Sequence, residues 1–219
     1  GGSNLTRGFP SLRMRTALGA VALAFTVVGR LFAGVRSLGS GEHTQSVTTQ
    51  GMTELDVDVS ASEFTLLFDD VDDAVLDVRG KSGWTLERRD ETLVVRPPAR
   101  WIFGWNFGDH ETVTLTLPER LRTAGLDADL DLAAGSLYAE GTFRSVDLEV
   151  NAGQARLEGL AEELDVDLNA GRADVLMSVG KADLSVNAGR LDADFSGRLV
   201  PSSITIDVSA GEMNVTLPD

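Results

Sequence analysis

The sequence contains no cysteine and only two histidines, His43 and His110. These absences exclude disulfide bonds, thiolate nucleophiles and zinc sites built on sulfur, and they leave little imidazole for chemistry. Basic residues are also few, since 19 Lys and Arg oppose 34 Asp and Glu, for a formal net charge of -15. The negative field of the protein repels phosphate backbones, so we expect no nucleic-acid partner. We also predict no cofactor.

One long apolar run, TALGAVALAFTVVGRLFAGV, occupies residues 16–35, with Arg30 as its single charge. As a helix, twenty residues span roughly 30 Å, which matches one hydrocarbon core. The run therefore predicts a transmembrane or signal-anchor helix over 16–36, either a single pass or the last helix of a longer membrane region. A cleaved secretory signal and a buried soluble helix are the alternatives.

The residues on either side of this run suggest an orientation. Residues 1–15 are basic, with Arg7, Arg13 and Arg15, whereas an acidic chain follows the run. The positive-inside rule then favours an extracytoplasmic carboxyl-terminal part, held at a bacterial cell membrane. Residues 37–50, rich in Gly, Ser and Thr, are predicted to be a flexible linker.

A repeat occupies the carboxyl-terminal half of the chain. The Ala-Gly pair recurs at 134, 152, 170, 188 and 210, so successive intervals are 18, 18, 18 and 22 residues. Apolar residues alternate on both sides of each pair, which is the periodicity of strands and not of helices. We therefore predict an all-β fold, a parallel β-solenoid with 18-residue coils over 126–219, in which each coil needs its neighbours to bury its apolar face.

The repeated corner carries polar and glycine residues in fixed columns. Glycine at a corner allows a left-handed backbone or a bulge, and stacked side-chain amides can satisfy backbone groups along a column. We assign a structural role to these positions: Asn151, Gly153, Asn169, Gly171, Asn187, Gly189, Ser209 and Gly211.

Outward-facing carboxylates form two further columns before each corner. One contains Asp129, Asp147, Asp165 and Asp183, and the other contains Asp131, Glu149, Asp167 and Asp207. A solvated acidic face is the simpler interpretation, and weak Ca²⁺ binding is the alternative, because hard cations prefer carboxylate oxygens. The nonapeptide of calcium-binding β-rolls is absent, so no dedicated metal site is predicted.

Residues 51–125 are rich in strand patterns but less regular, and we interpret them as first coils and a cap of the stack. Within them, Trp101, Phe103, Trp105 and Phe107 fall on alternate positions and hence on one face of an extended segment. This strip is a candidate interaction patch for an envelope protein, a wall polymer or the bilayer interface. A plug at the end of the core is the alternative.

The strand pairs around a repeated [Asn/Ser]-Ala-Gly corner, with TLTLP at 114–118 and a closing NVTLP, resemble the bacterial putative-adhesin β-strand-repeat family, a domain of unknown function. The resemblance covers about 44–219 and implies a β-solenoid in an envelope setting, without established catalytic residues. The expected function is a non-catalytic structural, adhesive or partner-binding module. An envelope-stress sensor and a polysaccharide-active β-helix enzyme are the alternatives.

Overall fold

The computed structural model describes residues 36–37, 42–80, 83–99 and 111–218. They form thirteen strands: β1 (Arg36–Ser37), β2 (Glu42–Val47), β3 (Glu54–Asp69), β4 (Ala74–Arg79), β5 (Thr85–Arg89), β6 (Thr92–Arg96), β7 (Thr112–Pro118), β8 (Leu126–Val150), β9 (Gln154–Leu168), β10 (Arg172–Val186), β11 (Arg190–Asp194), β12 (Ser203–Val208) and β13 (Glu212–Thr216). Within these ranges the single helical element is a 3-10 turn at Glu119–Leu121. The all-β prediction is confirmed.

Two predicted features fall outside the described residues. They are the helix at 16–36, of which only residue 36 is described, and the aromatic strip at 101–107. Across the ranges given above, no helix has the length and apolar character needed to cross a bilayer.

The carboxyl-terminal strands pair in parallel at a constant offset. Ser136 lies opposite Gln154, Gln154 opposite Arg172, and Arg172 opposite Arg190, so each step along the sheet advances the chain by one repeat. The same offset relates Ser145 to residues 163 and 181 on the second run of each repeat. The interval between successive Ala-Gly pairs is therefore equal to the offset in residue number between paired strands.

The last repeat absorbs four extra residues without losing this register. Lys181 lies opposite Ser203 and Arg190 lies opposite Glu212, so both runs take the longer interval and keep their pairing. The additional residues lie in the turn between β11 and β12, where Val200 is 77% exposed. Strand pairing thus continues on both sides of the insertion.

Each glycine corner stacks directly on the corner of the preceding repeat. The Arg172 amide donates to the Gly153 carbonyl at 2.9 Å, and the Arg190 amide donates to the Gly171 carbonyl at 3.0 Å. Gly171 has a φ of 109°, which non-glycine residues rarely adopt, and a Cβ on it would overlap the Gly153 carbonyl oxygen. Glycine is needed here for its backbone conformation and for its lack of a side chain.

The asparagines beside these glycines form a continuous ladder. Asn169 Nδ2 donates to Asn151 Oδ1 at 3.0 Å, and Asn187 Nδ2 donates to Asn169 Oδ1 at 2.7 Å. Their backbone amides bond in the same direction, since Asn169 donates to the Val150 carbonyl. In the final repeat, the Ser209 amide keeps the backbone bond by donating to the Val186 carbonyl.

The side chains between these corners build one core. On the two runs of a repeat, Leu164, Val166 and Leu168, then Ala173 and Val175, are each at most 3% exposed. They belong to the same buried cluster as the apolar residues of β3 to β8. Because a single repeat buries too little apolar area to offset its ordering entropy, the repeats must fold together.

The amino-terminal half differs from a wholly parallel stack. β2 pairs antiparallel with β4, β4 with β7, and β5 with β6, so the sheet is mixed. The prediction of a flexible linker over residues 37–50 is wrong for β2, because these residues form a paired strand. Its polar composition suggested flexibility, but the backbone pairing is supported by a hydrogen bond from Thr44 Oγ1 to Asp77 Oδ1 at 2.6 Å.

The junction between the two halves is the long strand β3. One edge of β3 pairs with β8, and the other pairs with β6 and β7, all in parallel. Its register against β8 shifts between Val59 and Ser62, where Ala61 has a φ of 50°. Residues 60–62 therefore occupy the position of the glycine corner, as expected for a first repeat, with a bulge replacing the glycine.

Replacing Gly171 by Ala should lower the free energy of unfolding by about 2 to 3 kcal/mol, because the new methyl group overlaps a backbone carbonyl that cannot move independently. Chemical denaturation monitored by circular dichroism measures the loss. Gly51→Ala is the matched control, since Gly51 also has a positive φ, 73°, but a Cβ there meets no atom within 4 Å. The control should cost only about 1 kcal/mol from backbone strain; equal losses would contradict the packing role.

Candidate functional site

The repeats present two outward faces, one on each side of the glycine corner. The A-face consists of the outward side chains of residues 54–59, 126–132, 145–150, 163–168, 181–186 and 203–208. The B-face consists of those of residues 63–68, 136–140, 154–158, 172–176, 190–194 and 212–216. Since alternate residues of a strand point to opposite sides, each face carries the polar half of its runs.

Charges on the B-face are organised into ion pairs that link successive repeats. Arg172 contacts Asp174 at 2.8 Å within its own strand and Asp192 at 3.2 Å on the next. Arg190 repeats the arrangement, reaching Asp192 at 2.8 Å and Glu212 at 3.2 Å. Hydrogen bonds from Arg190 and then from Asn214 hold the pKa of Asp192 below its ordinary value. Three arginines on this face thus offset part of the charge of its seven acids.

The A-face has a different charge distribution. Lys181 is the single basic residue in the six runs that form the A-face. Asp147, Asp165 and Asp183 lie opposite one another in register, and Glu149 lies opposite Asp167. At the strand spacing of about 4.8 Å, two carboxylates repel by about 0.9 kcal/mol in water and about 3.5 kcal/mol at an effective dielectric of 20. The A-face is the strongly anionic surface of the stack.

Arg96, on β6, binds two carboxylates at one end of the A-face. Arg96 donates to both carboxylate oxygens of Asp56, at 2.9 and 2.5 Å, and its Nε lies 3.0 Å from Asp58 Oδ2. Burial raises the pKa of Asp58 above its ordinary value, although Arg96 opposes the rise. An open groove begins beside this cluster and is lined by Asp58, Pro97, Asp131, Glu149 and Asn151.

At the far edge of the A-face, Asp127 connects two successive repeats. Arg144 forms an ion pair with it, and the Ser145 hydroxyl donates to Asp127 Oδ1 at 2.7 Å. Hydrogen bonding from Arg144, aided by Ser145, lowers the pKa of Asp127. Lys181 lies 3.5 Å from Glu163 along the same edge.

The predicted site residues fall into three groups. The corner positions 151, 153, 169, 171, 187, 189, 209 and 211 lie side by side along the stack, where the first six make the amide and glycine columns described above. Trp101, Phe103, Trp105 and Phe107 lie outside the described residues. Among the described side chains, no group of three or more His, Asp or Glu has the arrangement to hold a metal ion.

Two features of the structure were not identified from the sequence. The B-face ion pairs could have been found by aligning Arg172 and Arg190 with the acids two residues on and one repeat away. The buried hydrogen bond from Trp84 Nε1 to Glu111 Oε1, 2.8 Å long, has no local signal in the sequence, since it joins residues 27 apart.

The geometry defines the class: an all-β protein of stacked strand repeats with two outward faces that differ in negative charge. No protein-family model matches the sequence, and no curated protein matches it either. Among solved structures, a putative cell adhesion protein from Clostridium sporogenes matches with a TM-score of 0.55 at 12% identity, covering 80% of this chain and 98% of that one. A putative adhesin from Bacteroides fragilis matches with a TM-score of 0.39 at 11% identity, covering 81% and 98%.

The likeness to the Clostridium protein is one of fold. It extends over nearly the whole of that solved chain. At this identity it carries no information on individual residues. The resemblance to the putative-adhesin family that the sequence suggested is confirmed at the level of the fold.

Asp127→Asn should lower the free energy of unfolding at neutral pH by about 0.5 to 1 kcal/mol, because the ion pair with Arg144 is partly exposed and screened. A carboxyl whose pKa is lowered by folding stabilises the protein above its unfolded pKa, and this contribution is lost as the pH falls through the folded pKa. The difference between variant and parent should therefore vanish in acid. Urea denaturation between pH 7 and pH 2 tests this, with the exposed Asp72→Asn as control; a constant difference at all pH values would refute the role.

Proposed function

We propose that this chain is a membrane-anchored, envelope-facing β-solenoid that acts as a non-catalytic adhesive or partner-binding module, and that its A-face takes a positively charged partner. The observation that carries the proposal is the difference in charge between the two faces, since the A-face runs carry thirteen acids against one lysine, whereas the B-face runs carry seven acids against three arginines that pair with them. The name of the similar Clostridium structure, a putative cell adhesion protein, agrees with a binding role.

The solenoid interpretation is supported by the regular half of the sheet. Strands β8 to β11 pair in parallel at one offset, and apolar side chains from both runs of each repeat enter one core. A chain that returns to the same register at every repeat while enclosing a common core winds in coils. The antiparallel strands β2, β4 and β5 then cover one end of this stack.

The chemistry of the partner follows from the spacing of the charges. Carboxylates repeat along the A-face about every 4.8 Å, so their fields add over several repeats and attract extended cations more strongly than small ones. An envelope protein segment with several Lys or Arg, or a wall polymer bearing free amines, has this character. The groove beside Asp58 and Glu149 gives such a chain a place to lie.

The same repetition argues against catalysis. An acid and a base need environments that separate their pKa values, as two carboxylates in a hydrolase do. Asp147, Asp165 and Asp183 instead occupy equivalent positions on successive repeats. Equivalent carboxylates suit a binding surface, in which each makes a similar contact.

The location at a membrane is proposed from the sequence. The run at 16–35 is long enough to span the bilayer, and the basic residues before it favour an inside amino terminus. The acidic repeats would then face away from the anionic inner leaflet, in the envelope, where a cationic partner is accessible.

Removing three A-face charges with Asp147→Asn, Asp165→Asn and Asp183→Asn should weaken binding of a lysine decapeptide by about tenfold in low salt, since three surface charge contacts of about 0.5 kcal/mol each are lost. Fluorescence anisotropy of the labelled peptide measures the dissociation constant. Parent binding should weaken as salt rises, and the triple variant should respond less.

A second triple variant is the matched control for this measurement. Glu158→Gln, Asp174→Asn and Asp194→Asn remove the same formal charge from the B-face. It should bind the peptide within about twofold of the parent if position on the surface matters. An equal loss of peptide affinity in the two variants would show that only the net charge of the protein matters. It would remove the support for a binding site on the A-face.

Labelling in intact cells tests the orientation. Because the chain has no cysteine, a single Ser196→Cys variant gives a unique thiol in the exposed turn after β11. A membrane-impermeant maleimide should label it from outside, and the protein should remain in the membrane fraction after alkaline extraction. Deletion of residues 1–36 should release it; labelling only after lysis would contradict an envelope-facing stack.

A further inference from the structure

The outward positions of the A-face carry no apolar side chain. Each of its six runs, all within the described part of the chain, has three outward positions that alternate with apolar residues, and only Asp, Glu, Ser, Thr and Lys occupy them. The B-face differs, since Leu67, Tyr138 and Leu176 point outward there. A partner of the A-face gains no apolar contact, so charge and hydrogen bonds must hold it.

The acids of the A-face are concentrated in two adjacent rows that follow the stack. Asp147 lies opposite Asp165, and Glu149 lies opposite Asp167. Within a run the two rows are two residues apart, about 6.6 Å, and successive runs are about 4.8 Å apart. Both rows are filled in three successive runs, and we call these six acids the double row: Asp129, Asp131, Asp147, Glu149, Asp165 and Asp167.

The double row has the dimensions of one α-helix. A helix with its side chains is about 10–12 Å wide and rises about 5.4 Å per turn, close to the 4.8 Å between runs. Side chains at i, i+3, i+4 and i+7 form a stripe along one side of a helix. A helix above the space between the two rows therefore places at least one basic side chain over each run. The flexible stem of lysine takes up the remaining difference of about 0.6 Å per step.

An extended segment fits the double row less well. Along the stack, its side chains on one side recur about every 6.6 Å, so over three runs they fall about 3.6 Å out of step with the acids. The other half of its side chains point away from the surface. Laid along a single run instead, the segment matches the spacing but meets at most three acids. At equal charge, an extended partner thus reaches fewer carboxylates than a helix does.

The double row is limited at one end by an arginine. On the preceding run, Asp56 and Asp58 already pair with Arg96, which repels a second cation. On the run after the double row, Asp183 continues the first row, but Ser185 interrupts the second. The region in which a helix meets acids on both sides is therefore the three runs between them.

We propose that the double row binds an α-helix of a partner protein that carries a stripe of Lys or Arg and no apolar stripe, and that this helix lies along the stack. The inference names the partner class of the A-face and rests on the proposed function. The geometric match of spacing and width is its own support, in addition to the complementary charge.

Two peptides of identical composition, about sixteen residues of Lys, Ala and Gln, test the geometry. In the stripe peptide the lysines lie at i, i+3, i+4 and i+7 along one helix side. In the alternating peptide they occupy every second residue, which disperses them around a helix and aligns them on a strand. Fluorescence anisotropy with the full chain in mild detergent and low salt should show about tenfold tighter binding of the stripe peptide, because its lysines reach all three runs. Equal affinities would overturn the proposal.

Circular dichroism of the mixtures provides a second measurement. The described part of the protein is all-β, so a gain of helical signal on mixing reports the peptide. The stripe peptide should gain helix when it binds. Binding without any gain of helix would overturn the proposal, whatever the affinity.

Two triple variants of the protein separate the rows. Each should weaken the stripe peptide by about fivefold, and the two losses should agree within about twofold, because a helix contacts both rows. A loss confined to one row would indicate a single-file partner and would overturn the proposal. The variants are Asp129→Asn with Asp147→Asn and Asp165→Asn for the first row, and Asp131→Asn with Glu149→Gln and Asp167→Asn for the second row.

Failure of the helix proposal and failure of the proposed function give different results. If both peptides bind equally and both lose affinity in the two row variants, the A-face remains a cation-binding surface and the helix is rejected. If neither peptide binds, or if the B-face triple variant loses as much affinity as the row variants, both proposals fall. A glucosamine oligomer with the same number of amines that binds more tightly than the stripe peptide would assign the surface to a wall polymer and would also reject the helix.

Discussion

The close stacking of backbone on backbone at the repeated corner is the constraint on which the rest of the structure depends. Arg172, Arg190 and Glu212 each donate an amide hydrogen to the glycine one repeat earlier, and no side chain fits between the two corners. This fixes the strand register, and the register then determines which side chains form columns. Core, amide ladder and ion pairs are consequences of one repeated backbone contact.

A strand pairing could be predicted from the sequence only where the sequence repeat marks it. The constant interval between Ala-Gly pairs and the alternation around each corner predicted the parallel register of β8 to β11, because repetition makes long-range pairing visible in the sequence. The pairing of β2 with β4 carries no such signal, and Glu42–Val47 resembles a linker in composition. The bulge at Ala61 was visible only as a departure from Ser-Ala-Gly.

The candidate surface was predictable in part for the same reason. Stacked carboxylates on the A-face follow directly from the repeat, whereas the contribution of Arg96 requires the position of β6 beside β3. The difference between the faces arises from where arginine occurs: Arg156, Arg172 and Arg190 lie on B-face runs, and each is held by a nearby acid. Two surfaces built on one backbone pattern can therefore differ strongly in net charge.

The four-residue insertion before β12 shows how tolerant the turns of this architecture are. Both flanking strands keep their partners across the longer turn between β11 and β12, so the length of one turn is decoupled from the geometry of the stack. Related chains can consequently diversify by lengthening single turns, each of which projects from the side of a rigid body. Grafted peptides placed at this position would be displayed at a fixed height along the molecule without repacking its interior.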